Sequence, residues 1–290
     1  MIRKIKYKNI ETNEEITFNN YPFHYSSITG IDGIDNTLYK MSSSGQDGAT
    51  VYGSKLSTRE MALTIMVQAK TEKELQENRI ALLKLFNPKH KGKLIYERGG
   101  VIRSIDVEVV VAPRFTLNGI MSENMTVILE ASNPFWTDEA LTVEAIAYWQ
   151  GGFEFELEIP NDTGIEFGRK NEELIADIVN AGDVPVGMVI EFKASGLVTN
   201  PSLLNVITRD FIKINRTMKA GEVITVDTRF NNKSIKSLYQ GDEENIFNYI
   251  DIDSSFLQLE VGSNYLKYDA ESNLNNLEIE IKFNNSYVGV

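Results

Sequence analysis

Polar and apolar residues alternate through most of this chain, which is the two-residue period of a pleated strand. Lys4-Ile5-Lys6-Tyr7-Lys8-Asn9-Ile10 alternates, residues 11–15 are a polar turn, and Ile16-Thr17-Phe18 resumes the pattern. The pair predicts a hairpin. Tyr21, Pro22, Phe23 and Tyr25, followed by Gly30 and Gly33, predict a short strand between turns. Met61, Leu63, Ile65 and Val67 share one face of a strand over 59–67. The period then changes. Thr71-Glu72-Lys73-Glu74 has the form of a helix capping box, and Leu75, Arg79, Leu82, Leu83 and Phe86 recur at helical spacing. Asn87-Pro88 predicts the stop, and Arg79 is expected to lay its stem along the apolar face. Strands are predicted again at 93–96, 105–111 and 125–131, the last with Met125, Val127, Leu129 and Ala131 on one face.

That last strand runs into Asn133-Pro134-Phe135-Trp136. Pro134 cannot donate to a ladder and holds Asn133 extended, while Phe135 and Trp136 bring a large apolar surface to the strand exit. Beyond this point alternation dominates, at 153–159, 186–192, 211–214, 223–226, 256–259 and 277–283. Turn signals at 219–222 and 260–264 separate these runs. Many short strands at this spacing predict an antiparallel β-sandwich. Residues 162–183 read as a long loop. Residues 42–54, rich in Gly and Ser, fit two readings: a mobile surface loop, or a loop that orders against a neighbouring subunit.

The 290-residue length suits two domains, drawn here as 1–140 and 141–290. Charge supports the division. Residues 1–140 carry 17 basic and 17 acidic side chains, whereas 141–290 carry 12 and 24, so the whole net charge of -12 lies in the second part. Neither part shows the basic face that sequence-independent DNA binding needs. There is no cysteine, which excludes disulfides, zinc–thiolate sites and cysteine nucleophiles. The two histidines, His24 and His90, lack metal-ligand spacing. The basic start of the chain is not followed by an apolar run of signal-peptide type. No apolar run approaches the roughly 20 residues that span a bilayer.

Catalytic signatures are missing from the sequence. It contains neither a Gly-x-Ser-x-Gly elbow nor a phosphate-binding Gly-x-x-x-x-Gly-Lys-Ser/Thr loop. Asp251-Ile252-Asp253 could be half of a cation site, but Phe256 stands where an EF-hand loop needs glycine, so a solvated turn is the better reading. Alternation puts Glu154, Glu156 and Glu158 together on one polar strand face rather than making a catalytic pair. His24, among Pro22, Phe23 and Tyr25, reads as a packed ring.

The order of these features resembles that of the siphophage distal tail protein (Dit) family. Arg59 and its strand, the helix ending at Phe86-Asn87-Pro88, the Leu94-Ile95-Tyr96 strand and Asn133-Pro134-Phe135-Trp136 match its first domain in sequence order. The second half is similar through Asn180-Ala181-Gly182-Asp183, Asn200-Pro201, Gly221-Glu222 running to Asp227-Thr228, Leu259 to Asn264, and the ending Tyr287-Val288-Gly289-Val290.

The resemblance implies a mainly β fold: an N-terminal tail-tube-like β-barrel with one flanking helix, and a C-terminal antiparallel sandwich like galectins or carbohydrate-binding modules. It implies a non-enzymatic virion protein without cofactor or metal, located at the virion tail tip after assembly in the bacterial host cytoplasm. Six copies would form a ring joining the tail tube protein to the tail-tip hub, with receptor-binding proteins as further partners. DNA would pass through the ring without specific binding, and nothing would insert into a membrane. Gly45 and Tyr52 of the 42–57 loop, Arg59, Leu75, Arg79 and Phe86, and the Pro134-Phe135-Trp136 junction are the residues expected at subunit interfaces. The rival is a two-domain glycan-binding adhesion module recognising host cell-wall polysaccharide, with Tyr148-Trp149, Tyr239 and Tyr265 as candidate stacking residues. A cell-wall enzyme has no catalytic constellation behind it.

Overall fold

The computed structural model describes residues 4–147, 149–151, 168–170 and 175–290. The chain divides into two compact units, Met1–Glu139 with Ser286–Val290, and Ala140–Asn285. The last five residues thus return to the first unit.

The first unit contains β1 (Lys4–Asn9), β2 (Glu15–Thr17), β3 (Asn19–Asn20), β4 (Phe23–Thr29), β5 (Asn36–Met41), β6 (Thr50–Leu56) and β7 (Arg59–Gln68). Helix α1 (Glu72–Leu85) follows, then β8 (Gly92–Arg98), β9 (Val101–Leu117), β10 (Ser122–Ala131) and β11 (Trp136–Asp138). The main sheet has the order β2-β1-β8-β9-β10-β7-β4-β3, antiparallel throughout. Its two ends belong to one piece of chain. Glu15–Thr17 pairs with β1 and Asn19–Asn20 pairs with β4, and between them Phe18 turns into the core. At the opposite corner, β9 pairs with β8 through Val101–Val107 and with β10 from Glu108 onwards. The sheet is therefore rolled, and its edges are joined by chain rather than by ladder. No sheet among the described residues closes into a barrel. That corrects the barrel expectation. The bridging segment spans only six residues, about 20 Å of strand at ~3.3 Å each, too little to pair along both neighbours.

The alternation read from the sequence points Met61, Leu63, Ile65, Val67, Met125, Val127 and Leu129 inward with no exposed surface. An aromatic group closes this core beside the helix. Phe86 packs on Tyr7 (centroids 4.2 Å) and on Phe18 (6.0 Å). Gly92, paired with Asn9, has no side chain because the Tyr7 hydroxyl occupies the space. In α1 the Thr71 hydroxyl accepts from the Glu74 amide at 3.2 Å. The Glu74 carboxylate accepts from the Lys70 amide at 2.8 Å and from the Tyr21 hydroxyl. Leu75, Leu82, Leu85 and Phe86 are buried, but Leu83, expected on the same stripe, is 45% exposed. At about 100° per residue, Leu83 points away from the stripe that Leu82 and Leu85 share.

The predicted loop at 42–54 is shorter than its composition suggested. Thr50-Val51-Tyr52 favours extended chain, and β6 pairs with β5 to form a hairpin with only 42–49 as its tip.

In the second unit, one six-stranded sheet runs Thr142–Ala147, Leu277–Phe283, Val189–Ala194, Val223–Asp227, Ser234–Tyr239, Asp242–Asn245. A five-stranded sheet is built from Ile175–Asn180, Gly262–Ser272, Val198–Asn205, Phe211–Lys213 and Thr217–Met218. Ile190, Phe192, Ile224 and Ile279 from the first sheet and Ile178, Leu203, Ile212 and Leu266 from the second share one core, as a sandwich requires. The predicted loop over 162–183 is corrected at its end, where 175–180 is a strand. The predicted strand 153–159, with its glutamate row, lies outside the described residues. Among the described residues α1 is the one α-helix, and no helix is long and apolar enough to cross a membrane.

On the first sheet, Lys193 and Lys282 alternate with Glu191 and Glu280. Lys282 lies 2.6 Å from Glu191 and 3.2 Å from Glu280, and Lys193 bridges both carboxylates. The hydrogen bond from Lys193 holds the Glu280 carboxyl below its ordinary range. A depressed carboxyl stabilises the fold above its unfolded value, about pH 4.3, and loses that contribution as pH falls through the folded value. The melting temperature of the 140–285 unit is thus expected to stay flat from neutral pH to about pH 5 and fall below about pH 4. Lys193→Met should flatten part of that acid limb, as followed by circular dichroism. Trp136→Ala in the first unit should cost about 3–5 kcal/mol in urea titration, whereas Phe230→Ala in the second, at a residue 81% exposed, should stay within about 0.5 kcal/mol.

Candidate assembly interface

Arg59 begins β7 and is 2% exposed. Its guanidinium donates to four carbonyls: Pro134 (2.8 Å), Gly30 (2.7 Å), Gly33 (3.1 Å) and Val288. Burial lowers its pKa, and the Asp32 charge opposes that shift. One side chain therefore ties the turn before the β5–β6 hairpin, the junction after β10 and the end of the chain. The tail is held from a second side. Arg103 lies over the Tyr287 ring at 3.6 Å and donates to the Gly289 carbonyl. The Tyr287 hydroxyl donates to Asp138 at 3.0 Å, and Tyr287 pairs in register with Trp136. At Gly289 a side chain would overlap the Asp32 carbonyl.

The residues expected at subunit interfaces differ widely in exposure. Arg59, Leu75, Phe86 and Trp136 are buried within the unit. Their side chains already meet the unit's own backbone and core. Arg79 is also engaged internally, with two bonds to the buried Glu123 (2.8 and 3.0 Å) and a cation–π contact to Phe115. Its stem does not simply line the helix. Pro134 and Phe135 are half-buried. Gly45 and Tyr52 are exposed on the hairpin, Tyr52 at 68%. Sequence reading missed the other half of this surface, namely Leu38, Tyr39 and Met41 on β5, each exposed. The signal was there, since a Leu-Tyr-x-Met run precedes the glycine-rich tip.

In the second unit the motif residues staple backbone. Asn264 donates to Glu260 (2.8 Å) and Gly262 (3.0 Å) and accepts from the Glu260 amide (2.8 Å). Asn180 donates to Val184 and Leu259 and accepts from the Gly182 amide. Glu222, 1% exposed, takes the Ser237 hydroxyl at 2.6 Å and the Lys219 amide at 3.0 Å. Asp251 accepts from Asn215 at 3.0 Å in a turn that leaves Ile252 96% exposed. No group of His, Asp and Glu among the described residues could hold a metal ion. His24 is half-buried. Tyr239 and Tyr265, candidates for sugar stacking, lie in different sheets and make no common platform. Tyr148 lies outside the described residues, as does the side chain of Trp149.

Among the described residues, the polar side chains of these two β-rich units mainly serve backbone turns. Residues 12–129 match the family model described as phage tail protein RIFT-related domain, and residues 181–287 match siphovirus-type tail component, C-terminal domain. The chain belongs to the siphophage distal tail (Dit) protein family and is a component of the virion tail. In fold it is similar to SPP1 Dit, whose structure is described as a paradigm of the hub adsorption apparatus in phages infecting Gram-positive bacteria. The two share a TM-score of 0.70, 13% identity and 99% coverage of each chain. It is also similar to chains of the phage p2 baseplate in its activated conformation. The strontium form gives a TM-score of 0.56, 14% identity and 98% coverage of each chain, and the calcium form 0.55 and 14%, with 97% of this chain and 98% of that one covered. No curated protein matches the chain in sequence.

Arg59→Met should remove four charge-assisted bonds and destabilise the first unit by more than about 3 kcal/mol. Amide hydrogen exchange over residues 286–290 should then be faster than in the parent protein, as read by mass spectrometry.

Proposed function

We propose that this protein is the distal tail adaptor of a long-tailed phage or phage-derived particle. Six copies form a ring at the tail tip, between the tail tube and the tip hub, and the ring leaves a passage for DNA. The role is structural and involves no catalysis. The observation that carries the reading is the presence of both family domains in order on one chain, with a fold like that of SPP1 Dit over 99% of both chains.

The electrostatics of the first unit support a passage. The unit is formally neutral, with 17 basic and 17 acidic residues, and the -12 net charge belongs to the second unit. The outward face of β4, β7, β10 and β9 is composed of registered rows. Thr29, Ala62, Ile128 and Val111 form one, and Ser27, Thr64, Thr126 and Arg114 form the next. At one end Glu60, Glu130 and Glu108 stand side by side. A surface with a single arginine and a carboxylate row repels phosphate rather than gripping it, which suits a lumen through which DNA must slide. We assign this face to the lumen.

Light scattering over a concentration series, with electron micrographs of the largest species, tests the ring. Six-fold rings of about six times the 32.7 kDa chain mass are expected. A monomer at every concentration would count against the reading. The assembled protein should leave DNA unretarded in a gel at low salt. Glu60→Lys, Glu108→Lys and Glu130→Lys together should create retardation that fades as salt rises.

A further inference from the structure

We propose that the β5–β6 hairpin of one copy seats in the groove between β2 and α1 of the next copy. This proposal deepens the ring reading and rests on it. Among the described residues the hairpin pairs with no other strand, and every residue of its two strands except Gly53 is exposed. Leu38, Tyr39, Met41, Val51, Tyr52 and Leu56 are between 38% and 68% exposed. A lone two-stranded hairpin is marginal in water, so this one needs cover. A register shift after Tyr39 brings Tyr52 beside it, and Gly53, opposite Tyr39, leaves room. The two rings stack at 6.4 Å, forming an aromatic knob on a hairpin that also carries Lys40 and Lys55. Asp47 is the only acidic residue between 36 and 56.

The receiving groove is on the same unit. Ile16, Ile80, Ala81 and Leu85 give it an apolar lining, and it encloses about 480 Å³. Glu14, Glu15 and Glu77 also line it with Lys84, and Lys6 and Lys73 reach Glu15 (3.4 Å) and Glu77 (3.9 Å) from outside the lining. Ile80 is 45% exposed within it, and β2 pairs with β1 alone. Knob and groove thus match in polarity, and the groove's three lining carboxylates offer partners to Lys40 and Lys55 of the hairpin. No hairpin residue lines the groove of its own chain. Two different, complementary surfaces on one unit make a head-to-tail contact, the type that closes into rings. A second copy is therefore the occupant that the observations select.

The chain has no cysteine, so single cysteines report contacts cleanly. Tyr52→Cys and Ile80→Cys are prepared separately, mixed at assembling concentration and oxidised mildly. Both sites are exposed, and the melting curve of each variant must match the parent. Tyr39→Cys with Glu77→Cys is a second pair. The expected result is a disulfide-linked dimer in each mixture, in at least tenfold greater yield than with either variant alone or with Tyr52→Cys and Ile252→Cys. Rings in micrographs without that dimer would overturn the seat and leave the ring reading standing. The dimer in open filaments would uphold the seat and overturn the closed ring. Monomers without disulfide would overturn both.

Discussion

The first unit depends on one buried cation. Arg59 carries its charge into a nearly closed site, which is costly unless the guanidinium is fully engaged. Four carbonyls engage it, and they come from segments near residues 30, 134 and 288. Each of those segments leads to something else. The first launches the β5–β6 hairpin, the second enters the Trp136 plug, and the third is the end of the chain. Lysine could not replace this arrangement, because a point ammonium has no planar fork to divide among separate carbonyls.

Around that anchor the sheet rolls until one six-residue segment touches both of its ends. Phe18 makes the corner possible by filling the core where the ladder changes partners, and Phe86 meets it from the helix. This leaves β2 short and its outer edge beside α1, which is how the groove arises. The same geometry projects the hairpin away from the core at the start of β7. Protruding element and receiving groove are thus both consequences of how this sheet is rolled.

The sandwich unit is organised differently. Its buried asparagines and Glu222 hold turns, so the polar motifs that stand out in its sequence describe chain reversal rather than ligand chemistry. Its acidity repels nucleic acid, whereas the first unit is formally neutral.

Periodicity alone determined the β class, the position of α1, its Thr71 cap and the inward faces of β7 and β10, because each depends on neighbours within a few residues. Charge counting determined that one half is neutral and the other acidic. The order of short motifs identified the family. What the sequence did not determine were contacts over long separation. Nothing local shows that Arg59 reaches Val288, that Phe86 and Trp136 are buried in the unit's own core, or that the sheet fails to close. Nor does local pattern separate a glycine-rich loop from the strand of a hairpin with no core to cover it. Only the tertiary structure decided these points, because burial and pairing are properties of what the rest of the chain brings alongside.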